Sequence, residues 1–119
     1  MNRPRSVILL VEDDPLILIH STMALEDAGY EVIAAVDGEA ALGEISRQAN
    51  IVALFTDVGL PGAVDGVQVA AAVRAAHPSA SIVVTSGQDA PNIGVLPEGG
   101  LFMAKPYTAA QLRRALGDC

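Results

Sequence analysis

The sequence predicts an α/β fold, a parallel sheet of five strands covered by helices on both faces, and two observations lead to this prediction. Short apolar segments alternate with segments of helical periodicity along the chain, as they do where parallel strands are joined by crossover helices. Of the 119 residues, 51% are hydrophobic but only 3% are aromatic, so the core consists of aliphatic side chains, which is typical of strands buried on both faces. The length suits one domain, residues 1–119.

Composition also limits the environment and the partners. The formal net charge of -7 at pH 7 disfavours direct binding to nucleic acid, which needs a clustered positive surface. Cys119 is the only cysteine and the last residue, so an internal disulfide and a thiolate metal site are excluded, as expected in the reducing cytoplasm. The apolar segment at residues 7–11 is too short for a signal peptide or a membrane span. We expect a cytoplasmic protein without membrane insertion.

The first strand is predicted at residues 6–11, where a β-branched apolar segment stops at three consecutive acids, Glu12, Asp13 and Asp14. Pro15 suits the first turn of a helix, because the N–H that proline lacks has no partner there. The preceding acids suit the positive end of the same helix's dipole. The first strand is therefore expected to end in an acidic cluster at the start of the first helix.

The first helix is predicted to extend to about Ala28, since Gly29 suits its C-terminal end. Residues 16–19 are all apolar, which is more than one buried face requires. Two interpretations stay open: tight packing of the helix against the sheet, and a surface that docks a partner. We expect Met23 and, later in the chain, Met103 to belong to the core.

Two further strand–helix units follow. Residues 31–36 predict a second strand and residues 51–55 a buried third strand, each followed by a helical segment. Asp57 is expected at the carboxyl end of the third strand, and a loop rich in glycine and proline follows it. Asp65 and Gln68 have capping-box spacing at the start of the third helix.

The last strands are predicted at residues 81–85 and 101–104. Between them, residues 88–100 contain two prolines and three glycines, and a helix interior loses about 3 kcal/mol for each proline and about 1 kcal/mol for each glycine. We therefore expect a short or irregular fourth helix. Thr108 and Gln111 form a second capping-box pattern, which predicts a final helix.

Polar side chains follow several of the predicted strands. In the flavodoxin-like order 2-1-3-4-5, the first and third strands are neighbours, and the carboxyl ends of all strands share one edge. This order brings Glu12 and Asp13 close to Asp57, with Thr85 at the end of the fourth strand and Lys105 at the end of the fifth. The sequence therefore predicts a polar site at this edge.

Charge repulsion indicates the chemistry of that site. Two carboxylates about 5 Å apart repel by roughly 3 kcal/mol at an effective dielectric near 20, so three of them need a counter-charge. With only oxygen ligands available, Mg²⁺ fits better than zinc or copper, and it leaves coordination positions for a phosphate. Lys105 and the Thr85 hydroxyl suit other phosphate oxygens. The arrangement predicts phosphoryl transfer, in which positioning and charge neutralisation supply most of the catalysis.

Four motifs then resemble the signature of bacterial two-component response-regulator receiver domains. The resemblance covers nearly the whole chain, in the family's order and spacing, and its motifs are residues 11–15 (VEDDP), 56–61 (TDVGLP), 83–87 (VVTSG) and 105–107 (KPY). A set of motifs in order is far more specific than any one of them. The resemblance implies a single-domain receiver or the receiver segment of a hybrid sensor kinase.

The resemblance also implies roles for the acids. Asp57 would accept a phosphoryl group from the phosphohistidine of a histidine kinase or a phosphotransfer protein, forming an acyl phosphate. Glu12 and Asp13 match the pair that holds Mg²⁺, Asp13 directly and Glu12 through water, with Asp57 and the backbone carbonyl of Gly59 completing the protein ligands. Asp14 falls outside that pair and is expected to favour the start of the first helix.

Two further positions match the family's switch. Thr85 would turn toward the phosphoryl oxygens while Phe102 changes rotamer, although Phe102 is also explained as an ordinary core residue. The loop at residues 61–66 is one residue longer than the common form, and the broken fourth helix lies in the family's usual output surface. This last feature resembles receivers that act with certain hybrid sensor kinases.

We therefore predict a Mg²⁺-dependent phospho-accepting switch that signals by protein–protein contact and is not an enzyme acting on an outside substrate. The downstream partner is unknown, homodimer formation is open, and the chain ends without an output domain. One alternative is a pseudo-receiver, which the intact site residues disfavour. Another is a Mg²⁺-dependent phosphohydrolase, for which we see no second catalytic acid after Asp57. His20 and His77 are expected to have surface or helix-end roles.

Overall fold

The computed structural model describes residues 6–48, 50–86, 100–104 and 108–115. Within these ranges five strands and four helices alternate, except that no helix is described between the last two strands. In chain order the elements are β1 (Val7–Val11), α1 (Pro15–Asp27), β2 (Glu31–Ala35), α2 (Gly38–Arg47), β3 (Ile51–Asp57), α3 (Gly66–Ala76), β4 (Ser81–Ser86), β5 (Leu101–Ala104) and α4 (Ala109–Ala115). The predicted short or irregular helix at residues 88–100 lies outside the described residues apart from Gly100, and α4 is the predicted final helix.

The five strands form one parallel sheet in the order β2-β1-β3-β4-β5. The predicted flavodoxin-like order is confirmed. β3 extends two residues beyond the predicted strand, because Thr56 and Asp57 pair with Val84 and Thr85 of β4. Asp57 is therefore the last residue of β3, at the carboxyl end of the strand as predicted. Its backbone is held by the sheet.

Alternating side chains of the strands divide the core between the two faces of the sheet. On one face the strands pack against α2 and α3, whose buried residues include Ile45 and Val73. On the other face they pack against α1 and α4 through Leu25 and Leu112. All five residues of β1 are buried, as expected for a central strand covered on both faces. The result is the predicted sandwich of three layers.

The helices begin and end at the residues that their local chemistry predicts. Asp14 is the N-cap of α1, and its Oδ1 accepts hydrogen bonds from the N–H groups of Leu16 at 2.9 Å and Ile17 at 3.2 Å. Gly29 follows the helix with a positive φ of 98°, a conformation that glycine adopts readily. The predicted role of Asp14 at the start of this helix is confirmed.

Both predicted capping boxes are present. Asp65 Oδ1 accepts from the Gln68 N–H at 2.9 Å, and Gln68 Oε1 accepts from the Asp65 N–H at 2.9 Å. At the start of α4, Thr108 Oγ1 accepts from the Gln111 N–H at 3.1 Å, and Gln111 Oε1 accepts from the Thr108 N–H at 2.7 Å. These caps fix where α3 and α4 begin relative to the strands that precede them.

One side of α1 is apolar and open to solvent. Leu16, Ile19 and Met23 are 71%, 54% and 57% exposed, and they follow one another at helical spacing; we call them the α1 stripe. The prediction that Met23 belongs to the core is wrong, because Leu25 occupies the buried side of the helix. Met103 packs against the core as predicted. In the described part of the chain, none of the helices has the length and apolar character needed to cross a membrane.

Candidate functional site

Three carboxylates meet where β1 and β3 end. Glu12 and Asp13 follow β1 directly, and Asp57 closes β3. The two strands are neighbours, with Val11 opposite Thr56, so the acids lie at the same edge of the sheet. One ligand oxygen from each acid lies within 4.8 Å of the others. The predicted convergence of these side chains is confirmed.

The three acids differ in their exposure to solvent. Glu12 is only 2% exposed, and its Oε2 accepts a hydrogen bond from the Asp14 N–H at 3.1 Å. Its own N–H donates to the Ala35 carbonyl at 3.0 Å, which continues the pairing of β1 with β2. Asp13 is exposed and Asp57 is half-buried. The cluster therefore has a closed side at Glu12 and an open side at Asp13.

The charge of the cluster favours binding of a cation. At a separation of 4.8 Å, each pair of carboxylates repels by about 0.9 kcal/mol in bulk water and about 3.5 kcal/mol at an effective dielectric of 20. A divalent cation removes this repulsion. The donors are all carboxylate oxygens, which are the hard ligands that Mg²⁺ prefers. The residues present therefore fit a magnesium ion.

Backbone hydrogen bonds fix the residues on either side of Asp57. The Val58 N–H donates to the Thr85 carbonyl at 2.9 Å, and the Gly59 N–H donates to Asp57 Oδ1 at 3.2 Å. Leu60 is 8% exposed and belongs to the core on the α2 and α3 face. Gly59 is exposed, and the proposed metal contact of its carbonyl stays a prediction. The loop is thus anchored in the sheet and in the core immediately after the acid.

The first residue of α3 lies directly against the backbone of the acid. A Cβ atom at Gly66 would come 2.1 Å from the Asp57 carbonyl oxygen and 2.8 Å from Val58 Cα. The Gly66 N–H also donates to the Val58 carbonyl at 3.2 Å. Position 66 therefore has no space for a side chain. Gly66 was not among the predicted site residues, although a glycine directly after the N-cap Asp65 was a visible signal.

The polar residue of the next strand is buried beside the acid. Thr85 lies opposite Asp57 in the register of β3 and β4, is 2% exposed, and donates its hydroxyl to the Thr56 carbonyl at 3.4 Å. Phe102 lies opposite Val84 on β5 and is half-buried. The two residues therefore lie on adjacent strands, β4 and β5. Their predicted switch roles stay predictions.

Three other positions were singled out in the sequence, namely Lys105, His20 and His77. Lys105 falls outside the described residues. His20 is exposed on α1. His77 caps the C-terminal end of α3, where its N–H donates to the Val73 carbonyl at 2.7 Å. This end of α3 precedes β4 and is at the edge of the sheet opposite the acids, so the helix-end role predicted for His77 agrees with its position.

Comparison with known proteins decides the family. The model of the response regulator receiver domain matches residues 8–117, which includes every described element of the site. The chain belongs to this family. It is a receiver domain of a two-component system, and such domains interact with histidine kinases or phosphotransfer proteins and bind Mg²⁺ at an acidic site.

Curated relatives share the domain but are longer proteins. The nitrogen assimilation regulatory protein NtrX of Azorhizobium caulinodans is 33% identical over 110 residues, which cover 88% of this chain and 24% of the relative. The probable transcriptional regulatory protein NarL of Mycobacterium tuberculosis is 36% identical over 123 residues, which cover 98% of this chain and 56% of the relative. The chain thus spans about a quarter and about half of these two proteins.

Solved structures of receiver domains resemble the chain over nearly its full length. A response regulator receiver protein from Sinorhizobium medicae has a TM-score of 0.86 and 33% identity, with 96% of this chain and 93% of that one covered. The receiver domain of the sensor histidine kinase PA1611 from Pseudomonas aeruginosa has a TM-score of 0.80 and 26% identity, with 97% of each chain covered. That structure has a magnesium ion coordinated in its active site cleft.

Proposed function

We propose that this receiver accepts a phosphoryl group on Asp57 and that Mg²⁺, bound by Glu12, Asp13, Asp57 and the Gly59 carbonyl, supports the transfer. The observation that carries the proposal is the meeting of three carboxylates within 4.8 Å at the carboxyl ends of β1 and β3. The donor is the phosphohistidine of a histidine kinase or of a phosphotransfer protein. The domain would act as a signalling switch that communicates by protein–protein contact, in the cytoplasm.

Asp57 is the acid best placed to act as nucleophile. A carboxylate oxygen attacks the phosphorus, the P–N bond to the donor histidine breaks, and its electron pair remains on the imidazole. The sheet holds the Asp57 backbone through the pairing with Thr85, and the Gly59 N–H holds one carboxylate oxygen. Such positioning supplies much of the catalysis in phosphoryl transfer.

Glu12 and Asp13 have different proposed parts in holding the metal. Asp13 is exposed and suits direct coordination. Glu12 is buried and already accepts the Asp14 N–H, so it suits a contact through a water that the ion keeps. When bound, Mg²⁺ neutralises charge on the carboxylates and on the phosphoryl oxygens. The magnesium ion in the receiver domain of PA1611 supports the same use of this cluster.

Thr85, Lys105 and Phe102 complete the proposed switch. The hydroxyl of Thr85 donates to a carbonyl at 3.4 Å, a long and therefore weak hydrogen bond. Rotation of this hydroxyl toward a phosphoryl oxygen replaces a weak bond with a stronger charge-assisted one. Lys105 is proposed to pair with another phosphoryl oxygen, and Phe102 to change rotamer with Thr85.

The α1 stripe supports docking of the phosphodonor. It begins two residues after Asp14, directly beside the acidic cluster, and all three of its side chains are more than half exposed. An exposed apolar surface next to the acceptor gives a partner protein an area to bury. This arrangement favours the docking interpretation of residues 16–19 for Leu16 and Ile19, while Leu18 packs against the core.

The proposal is tested by phosphorylation with a small donor. The protein is incubated with acetyl phosphate and Mg²⁺, and its intact mass is measured before and after treatment with base. We expect one phosphoryl addition that is acid-stable and base-labile, absent in Asp57→Asn and in the presence of EDTA. Asp37→Asn is the matched control, because it removes the same charge outside the cluster. Retention of the addition in Asp57→Asn contradicts the assignment of the acceptor.

The same preparation tests whether the protein acts only on itself. We propose that it does not turn over an outside substrate. Phosphate release from an added phosphate monoester is followed over time with wild type and Asp57→Asn. Sustained release that depends on Asp57 would establish a phosphohydrolase in place of a switch.

A further inference from the structure

The loop that leaves the site contacts α2 through one carboxylate. This loop, residues 58–65, is called the β3–α3 loop. Glu39 lies in the first turn of α2, and its Oε2 accepts a hydrogen bond from the Ala63 N–H at 3.4 Å. A side chain at Gly62 would begin 3.0 Å from Glu39 Oε1, and Gly62 has a positive φ of 89°. The Glu39 carboxylate thus lies against the backbone turn at Gly62.

A second contact joins the same two elements. A Cβ atom at Gly38 would come 2.3 Å from the Val64 carbonyl oxygen and 2.7 Å from Val64 Cβ, so α2 begins in direct contact with the loop. Between this contact and the buried Leu60, residues 61–63 are exposed. Burial therefore contributes little to holding these three residues, and the hydrogen bond to Glu39 acts on the part of the loop that packing does not fix.

We propose that Glu39 is a positioning residue for metal binding: it holds the β3–α3 loop in the conformation that presents the Gly59 carbonyl to Mg²⁺. This inference rests on the proposed function, in which Gly59 supplies a metal ligand. The loop is fixed at its start by the Gly59 N–H on Asp57 and at its end by the cap at Asp65. Fixing the middle as well lowers the conformational entropy that is lost when the ion binds.

Thermodynamic linkage makes the effect reciprocal. If the contact between Glu39 and the loop strengthens Mg²⁺ binding by a given factor, Mg²⁺ must strengthen the contact by the same factor. The Ala63 amide is the group that reports on this contact, because its N–H is the donor to Glu39. Mg²⁺ is therefore expected to slow hydrogen exchange of the Ala63 amide in wild type.

The experiment is an NMR titration of the ¹⁵N-labelled protein with MgCl₂, which gives a Kd for each variant. Glu39→Ala removes the acceptor, and we expect about a three- to fivefold weaker Kd, in the lower part of the range for one hydrogen bond because 3.4 Å is long. Glu39→Gln keeps an acceptor oxygen but loses the charge, and we expect a change of about twofold or less. Glu44→Gln is the control on the same helix, since Glu44 pairs with Arg47 and not with the loop.

Amide exchange of Ala63 without Mg²⁺ tests the contact independently of the metal. Exchange should be faster in Glu39→Ala and close to wild type in Glu39→Gln and Glu44→Gln. Unchanged exchange in Glu39→Ala overturns the inference even where Mg²⁺ binds. Equal loss of Mg²⁺ affinity in Glu39→Gln and Glu39→Ala also overturns it, because charge would then be the cause. Absence of Mg²⁺ binding to wild type instead overturns the proposed metal site, whatever the exchange of Ala63 shows.

Discussion

Replacement of Asp57 with Asn is expected to stabilise the Mg²⁺-free protein. The substitution removes the repulsion of Asp57 by Glu12 and by Asp13, whose oxygens lie within 4.8 Å. Each pair contributes between about 0.9 kcal/mol at the dielectric of water and about 3.5 kcal/mol at an effective dielectric of 20. The repulsion between Asp57 and the exposed Asp13 is closer to the value in water, and the repulsion between Asp57 and the buried Glu12 is closer to the value at a dielectric of 20. With allowance for counter-ions, the free energy of unfolding should rise by about 1–3 kcal/mol.

The assay is urea unfolding followed by circular dichroism, since the chain has no Trp and fluorescence is weak. Measurements are made in EDTA at low salt. Asp37→Asn is the control: Asp37 caps α2 and accepts the Ala40 N–H at 2.8 Å, and Asn caps helices about as well as Asp. This control changes the net charge equally without touching the cluster.

Salt and metal give two further tests of the same reasoning. The rise in the free energy of unfolding on Asp57→Asn should be smaller in concentrated salt, because repulsion between partly exposed charges is screened. Added Mg²⁺ should stabilise wild type through preferential binding to the folded state and stabilise Asp57→Asn much less. If Asp57→Asn is no more stable than Asp37→Asn at low salt, or gains as much from Mg²⁺ as wild type, the electrostatic account of the cluster is refuted.

Three other expectations follow from contacts elsewhere in the fold. Gly66→Ala should lower the free energy of unfolding by about 1–3 kcal/mol through overpacking. It should also slow phosphorylation by acetyl phosphate, measured by intact mass. A normal rate of phosphorylation would contradict the close contact of Gly66 with the Asp57 carbonyl. Leu25→Ala should lower the free energy of unfolding, measured in urea, by about 2–5 kcal/mol, because Leu25 is buried. Met23→Ala should lower it by less than about 0.5 kcal/mol, because Met23 is exposed. Equal losses in the two variants would contradict this. A side-chain hydrogen bond from Arg47 is the main cause that lowers the pKa of Glu44. The contribution of ionised Glu44 to stability is therefore fully present above the pKa that Glu44 has in the unfolded chain, and it is lost as the pH falls through the lower pKa of the folded protein. Glu44→Gln should then flatten the acid side of a plot of Tm against pH. An unchanged plot would count against this.

Features that depend on neighbouring residues were predicted well from the sequence. The cap at Asp14 and the two capping boxes involve residues no more than three positions apart, so local spacing contains the information. The parallel sheet followed from alternation of strands and helices, and its order was that of the flavodoxin-like fold. That order placed Glu12 and Asp13 beside Asp57 before any distance was known.

Features that depend on contacts between distant segments were missed. Ala63 and Glu39 are 24 residues apart, and the approach of Gly66 to the Asp57 carbonyl depends on how α3 packs on β3. The error at Met23 has a similar cause: α1 is apolar on several sides, and only packing against the sheet decides which side is buried. Periodicity alone cannot make that choice.

The two faces of the sheet have different relations to the site. On the face covered by α2 and α3, both helices begin in contact with the chain around the acceptor, Gly38 against Val64 and Gly66 against Asp57. On the opposite face, α1 begins beside the acids but leaves the α1 stripe exposed. A partner that docks on α1 can therefore approach Asp57 without displacing the contacts that fix its backbone. Because α2 and α3 are coupled to the β3–α3 loop, any rearrangement of that loop on phosphorylation acts first on these two helices. These loop contacts would add to the proposed switch at Thr85 and Phe102, which lie on β4 and β5.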